Sequence, residues 1–424
     1  MKKWLFTIQF STGAVFCLLF LSGCLKDKCA NTYTISRPIY KSLTEVRANM
    51  RSSTPQPVQQ TGKLYLFNNY IFLNEPGKGI HVIDNSNPAQ PKNVSFINIP
   101  GNVDLAVRGN YLFADSYTDL VVFDVSNPKD ITARKFVNNV FPQNGGYYWG
   151  RSTNPDSVQV VVGYTQKDTT VDCNTYRIWS QCATCAMMDA SGRVFYAAAM
   201  AAAPAPSGKG GSMARFTIVN NFLYSVTYSQ LYAFNISNAT EPQSMNKKDI
   251  GWNIETIYPF SDKLFIGSAT GMFIYNISDA DNPMPLGQFS HVRSCDPVIA
   301  DDNHAYVTLR SGTTCQGFSN QLDVLSIDDI TKPNLIKTYP MTNPHGLSKD
   351  EDLLFICDGK DGLKVYDAKD ANNVKLITTI SGMETYDVIT DNNIAIVVAK
   401  DGLYQFDYSD RNNIRQISKI SLSK

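Results

Sequence analysis

Charge bias is missing from this 424-residue chain, in which 38 lysines and arginines balance 38 aspartates and glutamates. Phosphate binding leaves a basic footprint, so a nucleic-acid partner is disfavoured. Histidine is scarce: His81, His291, His304 and His345 are the four. Beyond the amino terminus no apolar run approaches the roughly 18 residues that a membrane-spanning helix needs. The sequence contains no Gly-x-Ser-x-Gly, no His-Glu-x-x-His and no Gly-x-x-x-x-Gly-Lys-Ser/Thr. The linear signatures of α/β-hydrolases, zinc proteases and P-loop nucleotide binding are therefore absent. An active site assembled from separate repeats would leave no such motif, so an enzyme is not excluded.

What the sequence does have is one short phrase said seven times. An apolar run ending on a polar residue recurs at Ile83-Asp84, Phe123-Asp124, Phe234-Asn235, Tyr275-Asn276, Leu325-Ser326, Tyr366-Asp367 and Phe406-Asp407. Four of the six gaps are 40 or 41 residues, and the other two, 111 and 50, are the same unit with about 71 and about 9 residues added. Each unit holds four runs of four to six β-branched or aromatic residues separated by Asn/Asp/Gly/Pro breaks, which reads as four β-strands. The first break is short throughout, as at Asn68-Asn69, Gly109-Asn110 and Asn220-Asn221. These residue types tolerate positive φ and suit tight hairpins. Ser86-Asn87-Pro88 and its counterparts form a second turn in which Asp and Ser side chains satisfy local backbone donors. The expected fold is all-β: a seven-bladed propeller of four-stranded blades over 62–424, with a long insertion at 142–212 between blades 2 and 3.

The third-strand cores Leu120-Val121-Val122-Phe123-Asp124, Ile80-His81-Val82-Ile83-Asp84 and Leu363-Lys364-Val365-Tyr366-Asp367 resemble the LVIVD repeat of bacterial and archaeal surface propellers. Ser326, Asn235 and Asn276 depart from its Asp. The resemblance implies a propeller and an extracytoplasmic location. It carries no established reaction and therefore no catalytic residues to transfer.

The amino terminus has a separate logic. Met1-Lys2-Lys3 precedes a largely apolar stretch that closes on Leu21-Ser22-Gly23-Cys24. This resembles a bacterial lipoprotein signal, which implies cleavage after residue 23, acylation of Cys24, and a chain tethered to the cell envelope, at the outer membrane and on its surface by expectation. The bland alternative is an uncleaved anchor or an ordinary signal peptide. Residues 24–61 then read as tether, short helix and linker, with Ser42 and Glu45 forming a capping box.

In a blade whose strands run A to D outward, the D-to-A crossover and the B-to-C hairpin share one face. The long insertion is a D-to-A crossover and the short one, 311–320, a B-to-C loop, so both are expected to leave from that face, where binding usually resides. The long insertion offers Tyr147, Tyr148 and Trp149 as an aromatic platform, or as a lid that buries its own rings. Its 198–212 tract reads as a flexible linker. Cys295 and Cys315 fall on the same face and are expected to form a disulfide. Cys173, Cys182 and Cys185 offer three zinc ligands without a local fourth, or a disulfide among themselves, which is the expectation.

The residues entering the innermost strands are Lys63, Asp104, Arg215, Ile254, Asp296, His345 and Tyr386. Together they suit a polar or zwitterionic ligand, a metal held by Asp104, Asp296 and His345, or ion pairs across a wet channel. The leading reading is a membrane-tethered binding module for a protein or glycan partner, with no cofactor. The alternative is an exported hydrolase or lyase acting at the axial mouth.

Overall fold

The computed structural model describes residues 30–142, 148–149, 154–172, 206–291, 297–312 and 319–423. The lipidation candidate Cys24, both cysteine groups, Asp296 and Tyr147 lie outside them. The chain divides into two compact units, residues 1–40 with 161–198 and residues 41–160 with 199–424. In the first, an extended segment (Ala30–Ser42) lies beside another (Gln159–Asp172). The second holds the propeller.

Seven antiparallel sheets succeed one another, each with strand order A-B-C-D. The innermost strands are Leu64–Phe67, Leu105–Arg108, Phe216–Val219, Ile254–Phe260, Val298–Ala300, Leu347–Asp350 and Thr385–Asp391. Buried apolar side chains between sheets, such as Phe355, Val365, Val388 and Val397 between blades 6 and 7, form a core repeated around the ring. Turn chemistry explains the repeat. The A-to-B hairpins place Asn68, Gly109, Asn220, Ser261, Glu351 and Asn392 at positive φ.

At the C-to-D turn the residue closing each third strand accepts the backbone N–H two residues on. Asp84, Asp124, Asn235, Asn276, Ser326, Asp367 and Asp407 do so at 2.7 to 3.3 Å. Only a short side-chain oxygen is needed, which is why Asp, Asn and Ser interchange there.

Residues ahead of blade 1 close the ring. Ser52–Ser53 adds a strand to the outer edge of blade 1, and Val58 packs among Leu64, Ile396, Val398 and Leu403 across the seam with blade 7. The Ser423 N–H donates to the Val58 carbonyl at 2.8 Å, and the amides of Asn85 and Gln405 bond reciprocally at 3.0 and 2.7 Å. Upstream, the helix Leu43–Ala48 is capped by Ser42, whose hydroxyl accepts from the Glu45 N–H at 3.1 Å. Arg47 on it reaches the buried Asp119 of blade 2 at 2.5 Å.

The end of the long insertion corrects two expectations. Residues 206–213 are not a free linker, and they do not return on the crossover face. The Gly109 N–H at the blade 2 hairpin donates to the Pro206 carbonyl (2.9 Å), and the Gly208 N–H donates to Val107 (2.9 Å). Lys209–Gly210 pairs antiparallel with Tyr65 and Leu66, and the Ser212 hydroxyl accepts from the Leu347 N–H (2.8 Å). Lys209 Nζ donates to the Thr390 carbonyl at 2.8 Å. The segment thus contacts the innermost strands of blades 1, 2, 6 and 7: it enters at the hairpin face and climbs the axis to the crossover face. By contrast, the insertion starts on the crossover face, where the Phe141 N–H donates to Thr118.

Its glycines are packing requirements rather than signs of flexibility. A Cβ on Gly208 would overlap the Leu66 carbonyl and the Tyr65 ring, and one on Gly211 would overlap the Asp387 carboxylate. Gly211→Val should therefore lower stability by about 2 kcal/mol or more, whereas Ser207→Ala should cost under about 0.5 kcal/mol. Urea denaturation of the two variants checks this.

Candidate functional site

Where the axial strand surfaces, charged side chains gather. Lys63 Nζ donates to the Met213 carbonyl, and the Arg215 N–H donates to the buried Asp104 carboxylate. Arg215 Nε donates to the Glu255 carbonyl at 3.2 Å. Asp387 accepts from the Ser212 hydroxyl (3.2 Å) and the Val388 N–H (3.0 Å), and its Oδ2 has no hydrogen-bond partner among the described residues. Lys63 feels Asp104, Arg215, Asp387 and Glu255, and burial lowers its pKa. Burial likewise raises Asp104, and it pushes Asp387 up to about 6.

Beneath them Asp115, at the end of the blade 2 B strand, organises the entry of its own A strand. Its Oδ1 accepts from Asn102 (2.9 Å), the Val103 N–H (2.8 Å) and the Asp104 N–H (3.0 Å). Asp358 does the same in blade 6, accepting from the N–H groups of Thr342 and Asn343. These carboxylates hold two D-to-A crossovers, and with them the side chains that the crossovers present.

The sequence-derived ring is partly assembled. Lys63, Asp104 and Arg215 come together, and His345 packs edge-on against Tyr386 with ring centroids 5.4 Å apart. Among the described residues Arg310, Asp358 and Glu384 are the charged groups that act on His345, and Asp104 is not one of them. Burial, then Arg310, lower His345 to about 4, so the ring is neutral near pH 7, and its Nε2 meets the Asn343 amide at 3.2 Å. Among the described residues no three His, Cys, Asp or Glu side chains are placed to hold a metal. Tyr148–Trp149 forms a two-residue strand paired with Gln159 and Val160. Cys357 is a buried free thiol.

Three members of the mouth, Glu255, Arg310 and Asp387, were not anticipated. The innermost strands of blades 4 and 7 carry a bulge after Ile254 and after Thr385. One extra residue reverses the alternation of faces. Ile254 accordingly turns into the apolar seam between blades 3 and 4, and Tyr386 packs against the seam cluster of blades 7 and 1. Their neighbours Glu255 and Asp387 join the charged set instead.

Asp115 gives the mouth a pH dependence. Burial raises its pKa to about 7 from an ordinary 3.8. The folded carboxyl holds its proton through a range in which the unfolded one has released it, so this group's contribution to stability falls as pH rises from about 4 to 7. Asp115→Asn keeps the accepting oxygen and cannot titrate. Melting across pH 4 to 8 should show the wild type losing on the order of 2 kcal/mol relative to the variant over that window.

The LVIVD repeat model matches residues 60–98 and 101–135, the first two blades. No curated protein matches the chain. Among solved structures, a protein from Lactobacillus plantarum is 12% identical with a TM-score of 0.53, covering 88% of this chain and 96% of its own. The computationally designed Ika8 protein is 9% identical with a TM-score of 0.51, covering 87% and 91%. Sqt1 of Saccharomyces cerevisiae is 8% identical with a TM-score of 0.50, covering 85% and 86%. At such identities the likeness is one of fold. The chain is a seven-bladed β-propeller of four-stranded blades, and its first two blades are LVIVD repeats.

Proposed function

We propose that the protein is a membrane-tethered extracytoplasmic binding module that engages a protein or glycan partner through the crossover face of its propeller. The distribution of exposed apolar side chains carries this reading. Among the described residues of the propeller unit, Val103, Tyr228 and Trp252 are exposed on crossover-face loops, while Met284, Leu335 and Leu376 lie on outer strands. These last three stand at the ends of their strands next to the C-to-D turns, on the strand edge rather than on a loop. Apolar groups left in water on rigid loops mark interaction sites.

The mouth supports binding over catalysis. Asp104 is engaged by the backbone N–H groups of Leu105 and Arg215, and His345 Nε2 by the Asn343 amide. A hydrolase or lyase would need these groups free to meet a substrate. Among the described residues no helix is long and apolar enough to cross a membrane, and the tether belongs to the lipobox-like Leu21-Ser22-Gly23-Cys24.

Two measurements test the proposal. Metabolic labelling with an alkyne fatty acid should mark the wild type and fail on Cys24→Ala; labelling of that variant contradicts the tether. A photo-cross-linker at Val103, on the crossover face, should capture a partner on intact cells, and one at Asn69, on the hairpin face, should not. The reverse pattern contradicts the choice of face.

A further inference from the structure

Blade 3 ends in an aromatic corner that the repeat pattern does not require. Tyr228 sits in the B-to-C turn and Trp252 in the following crossover, with ring centroids 6.1 Å apart and planes at 71°. Trp252 is 72% exposed and Tyr228 54%. Such exposure of a Trp on a short turn forgoes the burial that ordinarily stabilises it. Neither the Trp252 indole nor the Tyr228 hydroxyl has a hydrogen-bond partner among the described residues.

The corner is rigid. Thr227 and Gln230 close the turn around Tyr228, with a 2.8 Å bond from the Thr227 N–H to the Gln230 carbonyl. The Ile254 N–H donates to the Tyr228 carbonyl at 3.0 Å and the Ile250 N–H to Ser229 at 2.9 Å, so the two loops brace each other on both sides of Trp252. Asn253 supplies the positive φ that turns the chain back. The backbone that carries both rings is held before any ligand arrives, which lowers the ordering cost of binding.

What surrounds the rings selects the ligand. Ser229 and Asp249 are polar, and Gln230 Nε2 donates to the exposed Asp249 carboxylate at 2.8 Å while its Oε1 accepts from the Tyr232 hydroxyl at 2.8 Å. A protein interface typically needs about 800 Å² per partner with an apolar centre, and two isolated rings in a polar rim do not supply one. A hexopyranose with equatorial hydroxyls fits better. Its axial C–H groups form a small apolar face for the indole, the Tyr ring walls one side, and the hydroxyls at its edge meet the exposed Asp249 carboxylate, which Gln230 holds in place. We infer that Tyr228 and Trp252 form a sugar-stacking subsite for a glycan chain of such residues. The inference rests on the crossover face being the binding face and names the ligand class at one corner of it.

The test is calorimetric titration of the full chain in detergent with three soluble hexasaccharides: β-1,4-linked glucose, β-1,4-linked N-acetylglucosamine and α-1,4-linked glucose. At least one should bind saturably. Trp252→Ala should weaken that binding at least tenfold and Tyr228→Ala several-fold, with melting temperatures unchanged because both side chains are exposed. Absence of saturable binding to all three, or wild-type affinity in Trp252→Ala, overturns the inference. A photo-cross-linker at position 252 that captures a protein on cells would overturn it as well, while leaving the crossover face as the binding face. Acylation of Cys24 plays no part in the titration, so failure of the tether and failure of the subsite are separable.

Discussion

The structure depends on how little room seven sheets leave at their common axis. Here that space is entered by the chain itself: residues 206–213 lie against the innermost strands of four blades, close enough that Gly208 and Gly211 admit no Cβ. Occupying the axis settles several things together. It supplies hydrogen bonds to inward-facing backbone that would otherwise need water. It forces the long insertion to leave by one face and return by the other. It also sets Met213, Ser212 and Asp387 as the floor of the crossover-face mouth, so charged groups there are met from below by protein.

A closed floor changes what the mouth can do. Lys63, Asp104 and Arg215 were candidates for an open funnel, and in the structure each is engaged by the axial strand or the backbone beside it. Asp115 and Asp358 spend their carboxylates on fixing crossovers. The polar groups nearest the axis are therefore arranged to hold loops in place, and recognition passes outward to what those loops carry. In blades 1 to 3 they carry Val103, Tyr228 and Trp252.

Much of the architecture was legible in the sequence because each blade repeats the same local chemistry. The Asp, Asn or Ser that closes every third strand makes the same bond to the backbone two residues on, and Asn or Gly at the hairpins accepts the same left-handed turn. Local rules of this kind survive repetition. The mouth was legible only in part, because a bulge after Ile254 and another after Thr385 each insert one residue and turn Glu255 and Asp387 toward the charged cluster. No residue type announces a bulge. The axial strand is hidden in the sequence for a different reason: Ser207-Gly208-Lys209-Gly210-Gly211-Ser212 has the composition of a linker, and small residues suit a linker and a narrow channel equally well. Tyr228 and Trp252 are not legible in the sequence because a lone aromatic in a turn carries no signal until the fold sets two of them side by side.

The occupied axis is tested most directly by hydrogen exchange read by mass spectrometry on peptides spanning 206–213. The account predicts that the Gly208 and Gly211 amides, which donate to the Val107 and Leu64 carbonyls, exchange as slowly as the innermost strands around them. Complete exchange within seconds, while those strands remain protected, would contradict it.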